Sequence, residues 1–191
     1  EDGFRKAIDG QPGESKAMGL EIKRSDTPKY IQNFLQETLI ALLVGEDEVQ
    51  LKQRVRDFKS VFKDMPVHLK GSPRTVKNYT NLEAEYATTG KGKVGHVLAG
   101  IQWNRLRDAF EDKSVPEVTD GTKVIVCNLK DNPMGIKAVG YPIDCAEYLP
   151  EWFLELPFDE EKMEEIVLTK KLDNIFGILD MDIGIHEKST A

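Results

Sequence analysis

The residues with the most chemistry to offer are cations set among hydroxyls and amides. "RTVKNY" alternates Arg74, Lys77 and Tyr79 with Thr75 and Asn78. "QWNRLR" repeats the theme with Asn104 and Arg105, and "GKGKVG" at 90–95 sets Lys91 and Lys93 between glycines. A third group, Lys23, Arg24 and Lys29, surrounds Ser25 and Thr27 in "KRSDTPK". Arg, Lys, Asn and Thr are the usual donors to phosphate oxygens. Small residues also let backbone N–H groups approach an anion. By composition alone "GKGKVG" reads equally as a solvated loop and as a phosphate-facing turn.

Other chemistries find less support. His68, His96, His186, Cys127 and Cys145 show no CxxC, HxH or HExxH spacing, so no metal site is expected. Neither GxSxG nor a Cys/His signature of a nucleophile is present. GxxxxGK[ST] and GxGxxG are also missing, which weakens a nucleotide-loop reading of 90–95. The acidic pairs Glu160-Glu161, Glu164-Glu165 and Asp180 with Asp182 fall on a charged helical stretch and a tail. They read as solvated faces, because metal-dependent phosphoryl transfer needs carboxylates gathered on a rigid site. Cys127 and Cys145 are expected as two thiols, not a disulfide.

Charge is unevenly distributed. The net charge of −7 hides a net +2 over residues 1–113 and −9 over residues 114–191. Residues 68–107 alone carry net +5. Screening confines a charge to its surroundings, about 8–10 Å, so an acidic chain can still present a basic working face. With 40% apolar and 31% charged residues the chain suits a folded globular protein. No apolar run approaches the ~18 residues of a membrane span, and "EDGFRKAIDG" has no apolar core of a signal peptide.

The elements that must position these cations are partly legible. Residues 1–17 hold Gly3, Gly10, Pro12 and Gly13 and read as an irregular lead-in, which raises the expectation of a fragment. Thr27-Pro28 suits a helix entrance, with Thr27 as the cap and Pro28 in the first turn. Ile31, Phe34, Leu35, Leu39 and Leu42 then follow helical spacing up to Gly45. A second helix is expected from about Asp47 to Asp64, with Leu51, Val55, Phe58 and Phe62 on its apolar stripe, antiparallel to the first. Residues 66–95 read as loop-rich, and "HVLAGIQWNRLRDAF" as a helix or a strand followed by a helix. "TKVIVCNLK" and "IKAVGYP" flank an "NPMG" turn and predict a β-hairpin. "DEEKMEEIVLTKKLDNIFGIL" reads as a helix with an acidic start. The fold class is α+β: mainly helical, with an antiparallel helix pair and a small β-hairpin or sheet.

Several of these stretches, in order, resemble the thumb of family B DNA polymerases, in the branch found in T4-like bacteriophages. "GLEIKRSDTPKYIQNFLQ" is similar to the segment that joins palm to thumb, through Gly19, Glu21, Arg24 and Asp26, and "SDTPK" resembles the phage version of its end. His96, Gly100, Asn104 and Arg105 resemble a His…Gly…Asn-Arg pattern of the phage thumb. "DGTKVIVCNLKDNPMGIKAVGYP" resembles its strand, turn and strand ending in Pro. "KKLDNIFGIL" resembles the C-terminal peptide that holds the sliding clamp, carried by Leu172, Ile175 and Phe176. The chain departs from the pattern by continuing through "DMDIGIHEKSTA", and it carries no D-x-x-S-L-Y-P or D-T-D-S motif; the family's K-x-Y motif is expected just upstream of residue 1.

The resemblance implies a lead-in from a palm at 1–17, a thumb domain at 18–170 and a clamp-binding peptide with a tail at 171–191. It implies a non-catalytic part of a DNA-directed DNA polymerase, working in the cytoplasm of a phage-infected host. The implied partners are primer–template DNA, the rest of the polymerase and the sliding clamp, with no membrane. No cofactor is expected in this chain, since magnesium would be held by a palm. The residues expected to contact DNA are Lys23, Arg24, Ser25, Thr27, Lys29, Arg74, Thr75, Lys77, Lys91, Lys93, His96, Asn104 and Arg105. Two other readings stay open: an interaction module whose basic stretch meets an acidic partner, and a small phosphate-handling enzyme built on "GKGKVG".

Overall fold

Seven α-helices and three strands form among the described residues, which in this computed structural model are Ile22 and residues 24–177. In chain order they are α1 (Lys29–Leu43), α2 (Glu48–Asp64), β1 (Ser72–Thr75), α3 (Tyr79–Thr89), α4 (Gly95–Ala109), β2 (Lys123–Asn128), β3 (Ala138–Pro142), α5 (Glu151–Leu154) and α6 (Glu160–Glu164). A π-helical stretch, Glu165–Thr169, then leads to α7 (Lys170–Phe176). The fold is α+β. The chain divides into two compact units. One holds the described residues up to Met65 and from Glu164 onward, and the other is Pro66–Met163.

The first unit is helical. α1 ends as its sequence demands: Gly45 takes φ +92°, its N–H donates to Leu42 O, and the Glu46 N–H donates to Ala41 O. This is a Schellman closure, which a residue with a Cβ would strain. Asp47 then caps α2 in a full capping box, its side chain accepting from Gln50 N–H while the Gln50 side chain accepts from Asp47 N–H, each at 2.9 Å. Tyr30 meets Phe62, and Phe34 stacks on Phe58 at 3.9 Å, so the start of α1 lies against the end of α2. The pair is antiparallel, as the short link requires. Ile31, Leu35, Leu51 and Val55 share one core with Val167, Leu168, Leu172 and Phe176.

The helix entrance differs from its expected form. Pro28, not Thr27, is the N-cap: Gln32 N–H donates to Pro28 O, and no side chain caps the helix. The Thr27 side chain is buried, and its Oγ1 has no hydrogen-bond partner among the described residues. The entrance is closed instead by Gln32, whose Nε2 donates to Arg24 O and Thr27 O.

The second unit contains the sheet. The expected hairpin is β2 and β3, paired antiparallel with Val124 opposite Pro142 and Cys127 opposite Val139. A third strand, β1, lies within the stretch expected to be loop and pairs antiparallel with the other side of β2. It is an edge strand, where Pro73 is tolerated because only one side of the backbone needs ladder bonds. α3 also forms there. None of its residues is buried, so no apolar stripe announced it. Its start is fixed by Asp120, whose Oδ1 accepts from Tyr79 N–H at 2.8 Å.

α4 is one continuous helix that packs on β3. Gly100 lets it approach closely, since a Cβ there would meet Val118 Cγ1 at 2.8 Å. Trp103 is fully buried and donates from Nε1 to Pro116 O. Cys127 and Cys145 are free, buried thiols. Burial pushes the Cys127 thiol far up and Cys145 to about 11.

Candidate nucleic-acid interface

The two units divide the expected site residues between them. In the first unit, Lys29 and Ser25 are exposed. Arg24 forms a two-pronged ion pair with Asp26, Nε to Oδ1 at 3.2 Å and Nη2 to Oδ2 at 3.3 Å. Asp26 also takes Lys171 Nζ at 3.4 Å. Burial raises the Asp26 carboxyl, but the charges of Lys171 and Arg24 outweigh it and hold the group below the usual carboxylate range. Of the cations expected at this entrance, Arg24 is therefore already engaged. Thr27 turns inward, so its hydroxyl does not face a partner. Lys23 lies outside the described residues.

In the second unit, the end of β1 gathers the densest group. Arg74 Nη2 lies 3.3 Å from His96 Nδ1, across 22 residues of sequence. A guanidinium only donates, so the contact requires a neutral ring with Nδ1 as acceptor. Burial and then the Arg74 charge hold His96 below its ordinary value, while a hydrogen bond to the Thr75 backbone works the other way. Thr75 sits opposite Lys123 in the β1–β2 register, and both are exposed. Successive strand residues point to opposite faces, so Arg74 and the Thr75–Lys123 pair flank the strand on its two sides. Lys77 follows just beyond and is also exposed. The sequence did not single out Lys123, because only strand register brings it beside Thr75.

Other expected contacts are committed elsewhere. Asn104 Nδ2 donates to Tyr79 Oη and to Val118 O, each at 2.8 Å, and Asn104 Oδ1 accepts from Val118 N–H at 2.7 Å. Both amide hydrogens are used, which leaves no donor for a phosphate oxygen. In this structure Asn104 holds α4 to the segment before β2. Arg105 is exposed, with its guanidinium 4.6 Å from the centroid of the Tyr86 ring, a cation–π contact. Lys93 pairs with Glu85 at 2.6 Å, whereas Lys91 stands exposed on the loop. α4 starts at Gly95 with Val94 as an N-cap that cannot accept a hydrogen bond through its side chain, so the first backbone N–H groups lack a side-chain cap.

Leu172, Ile175 and Phe176 are buried to 2% exposure or less in the core of the first unit. In this arrangement they are packing residues, not a presented apolar anchor. Apolar side chains follow the available core, and α1 and α2 offer them one. Among the described residues no group of three or more His, Cys, Asp or Glu side chains is placed to hold a metal ion. No described helix is long and apolar enough to cross a membrane.

No family model matches the chain. Among curated proteins, it is similar to a DNA-directed DNA polymerase of Enterobacteria phage T4, 27% identical over 134 residues. The match covers 66% of this chain and 14% of that protein. The similarity suggests a DNA-polymerase-related region, and the chain spans a small part of that relative's length.

Proposed function

We propose that this chain is the thumb region of a family B DNA polymerase and that its second unit grips the primer–template duplex without reading sequence. The observation that carries this reading is the cluster at the end of β1, where Arg74 meets His96 while Thr75, Lys77 and Lys123 stand exposed. Cations of this kind bind phosphates wherever they fall along a duplex, and so give affinity and register without sequence information. The similarity to a phage DNA polymerase supplies the partner class. The proposed contribution is grip on the duplex through phosphate contacts. A sliding-clamp contact through Leu172, Ile175 and Phe176 would need α7 to leave its core, and it is kept outside this proposal.

The test is fluorescence anisotropy of a labelled primer–template duplex titrated with the full chain at low salt. Binding that weakens steeply with salt and is indifferent to duplex sequence supports the proposal. No binding at high micromolar protein would sink it.

A further inference from the structure

A cleft of about 530 Å³ opens within the second unit, bordered by the end of α3, the Gly90–Gly95 loop, the first turns of α4 and the chain entering β3. Its wall includes Tyr86, Lys91, Leu98, Gln102, Lys137 and Ala138. The charged side chains on that wall are both lysines, and no carboxylate lines it. A cation has no counter-charge there, whereas an anion has two. Leu98, Ala99 and Ala138 add apolar wall, and besides Lys91 the loop brings glycines at 90, 92 and 95. A flat apolar group would meet little steric resistance.

Gln102 adds a directional feature. It is only 8% exposed, and its Nε2 donates to Tyr86 Oη at 3.0 Å. Among the described residues its carboxamide oxygen has no hydrogen-bond partner, and a second amide hydrogen remains. A donor and an acceptor side by side match the edge of a nucleobase. The volume falls inside the roughly 300–1,000 Å³ usual for small-molecule sites.

We propose that this cleft binds a single nucleotide, with the base against Tyr86 and Leu98, its edge on Gln102 and its phosphate between Lys91 and Lys137. The ligand is either a free nucleoside monophosphate or one unpaired nucleotide of a strand. A paired duplex does not present such a group, because its bases are stacked and bonded to each other. The cleft is therefore a site additional to the duplex grip.

The experiment follows backbone and side-chain amide resonances of the full chain by NMR, titrated separately with dAMP, with inorganic phosphate and with a short oligo(dA) strand. We expect dAMP to shift residues 90–98 and the Gln102 side-chain amide, saturating at concentrations at least about fivefold below those phosphate needs, because the base adds its own contacts. The exposed-lysine variant Lys137→Glu is expected to weaken dAMP about fivefold or more, since it removes a charge-assisted contact. It should leave duplex binding within about twofold, because Lys137 stands apart from the β1 cluster. Gln102→Leu, checked for folding by circular dichroism, should weaken dAMP but not phosphate. Oligo(dA) binding tighter than dAMP at the same residues identifies a strand as the source; equal or weaker binding identifies the free nucleotide. Equal responses to phosphate and dAMP, shifts confined to residues outside the cleft, or unchanged dAMP binding in Lys137→Glu would each overturn the proposal.

Discussion

The carboxamide of Asn104 grips the backbone of Val118 from both sides, donating to its carbonyl at 2.8 Å and accepting from its N–H at 2.7 Å. Val118 is buried, so these two groups have no ready substitute in water. His96, Gly100 and Asn104 are spaced four apart and lie along one face of α4. His96 meets β1, and Gly100 and Asn104 both meet Val118. The spacing of this group is a packing pattern as much as a binding one.

Asn104→Ala is therefore expected to cost stability, about 2–3 kcal/mol, by leaving buried backbone groups unpaired. A urea midpoint measures this. Duplex affinity of the folded variant should stay within about twofold of the wild type, since no phosphate contact is removed. A variant of normal stability that binds duplex much more weakly would return Asn104 to the DNA interface.

His96 titrates as a report on Arg74. Its midpoint by NMR is expected below about 6.5, the ordinary value for histidine. Arg74→Gln should move it upward, because the repelling charge is gone. A histidine held low in the folded state binds its proton more readily when unfolded. Its contribution to stability is thus complete above about pH 6.5 and is lost as pH falls through that value towards the folded midpoint. A bound phosphate at Arg74 would favour the charged ring, so duplex affinity should rise between pH 7.5 and about pH 6. Affinity that is flat over that range would separate His96 from the bound phosphate.

Salt dependence tests the β1 cluster directly. The double variant Arg74→Gln, Lys77→Gln should lower the slope of log affinity against log salt by roughly 2, about one for each phosphate that is no longer neutralised. Both residues are exposed, so stability is expected to change by less than about 0.5 kcal/mol. An unchanged slope would place the duplex elsewhere on the molecule.

Lys171 and Asp26 join positions 145 residues apart in sequence within the first unit. Lys171→Ala should destabilise by about 1–2 kcal/mol, a figure reduced for the partial exposure of Asp26. The Asp26 carboxyl, now held low, should rise in the variant because burial then acts with less opposition. In the wild type, a carboxylate with a lowered folded value contributes stability above about pH 3.9, and this is lost as pH falls through the folded value. Acid unfolding of the variant should accordingly show a smaller change in stability over that interval, measured by circular dichroism against pH.

Elements whose signals lie within a few residues were legible in advance. The stop at Gly45, the Asp47 to Asp64 helix and the β2–β3 hairpin all rest on caps and turns that a short window contains. β1 and α3 were not legible. β1 is four residues with a proline, and α3 buries none of its side chains, so neither carries the periodicity that marks an element. Each forms because the rest of the second unit provides it with a partner.

The site followed the same division. Sequence by itself determined that the chain is α+β, that its cations concentrate in residues 68–107, and that its order of motifs resembles a polymerase thumb. Only the tertiary structure decided which polar groups remain to meet a ligand. Arg74 meets His96, Arg24 is drawn to Asp26, Asn104 is spent on Val118, and Phe176 fills a core. Hydrogen bonds and burial act at contact distance, between residues that folding brings together from far along the chain. A residue's type states what it can bind, but its spatial neighbours decide whether that capacity is already used.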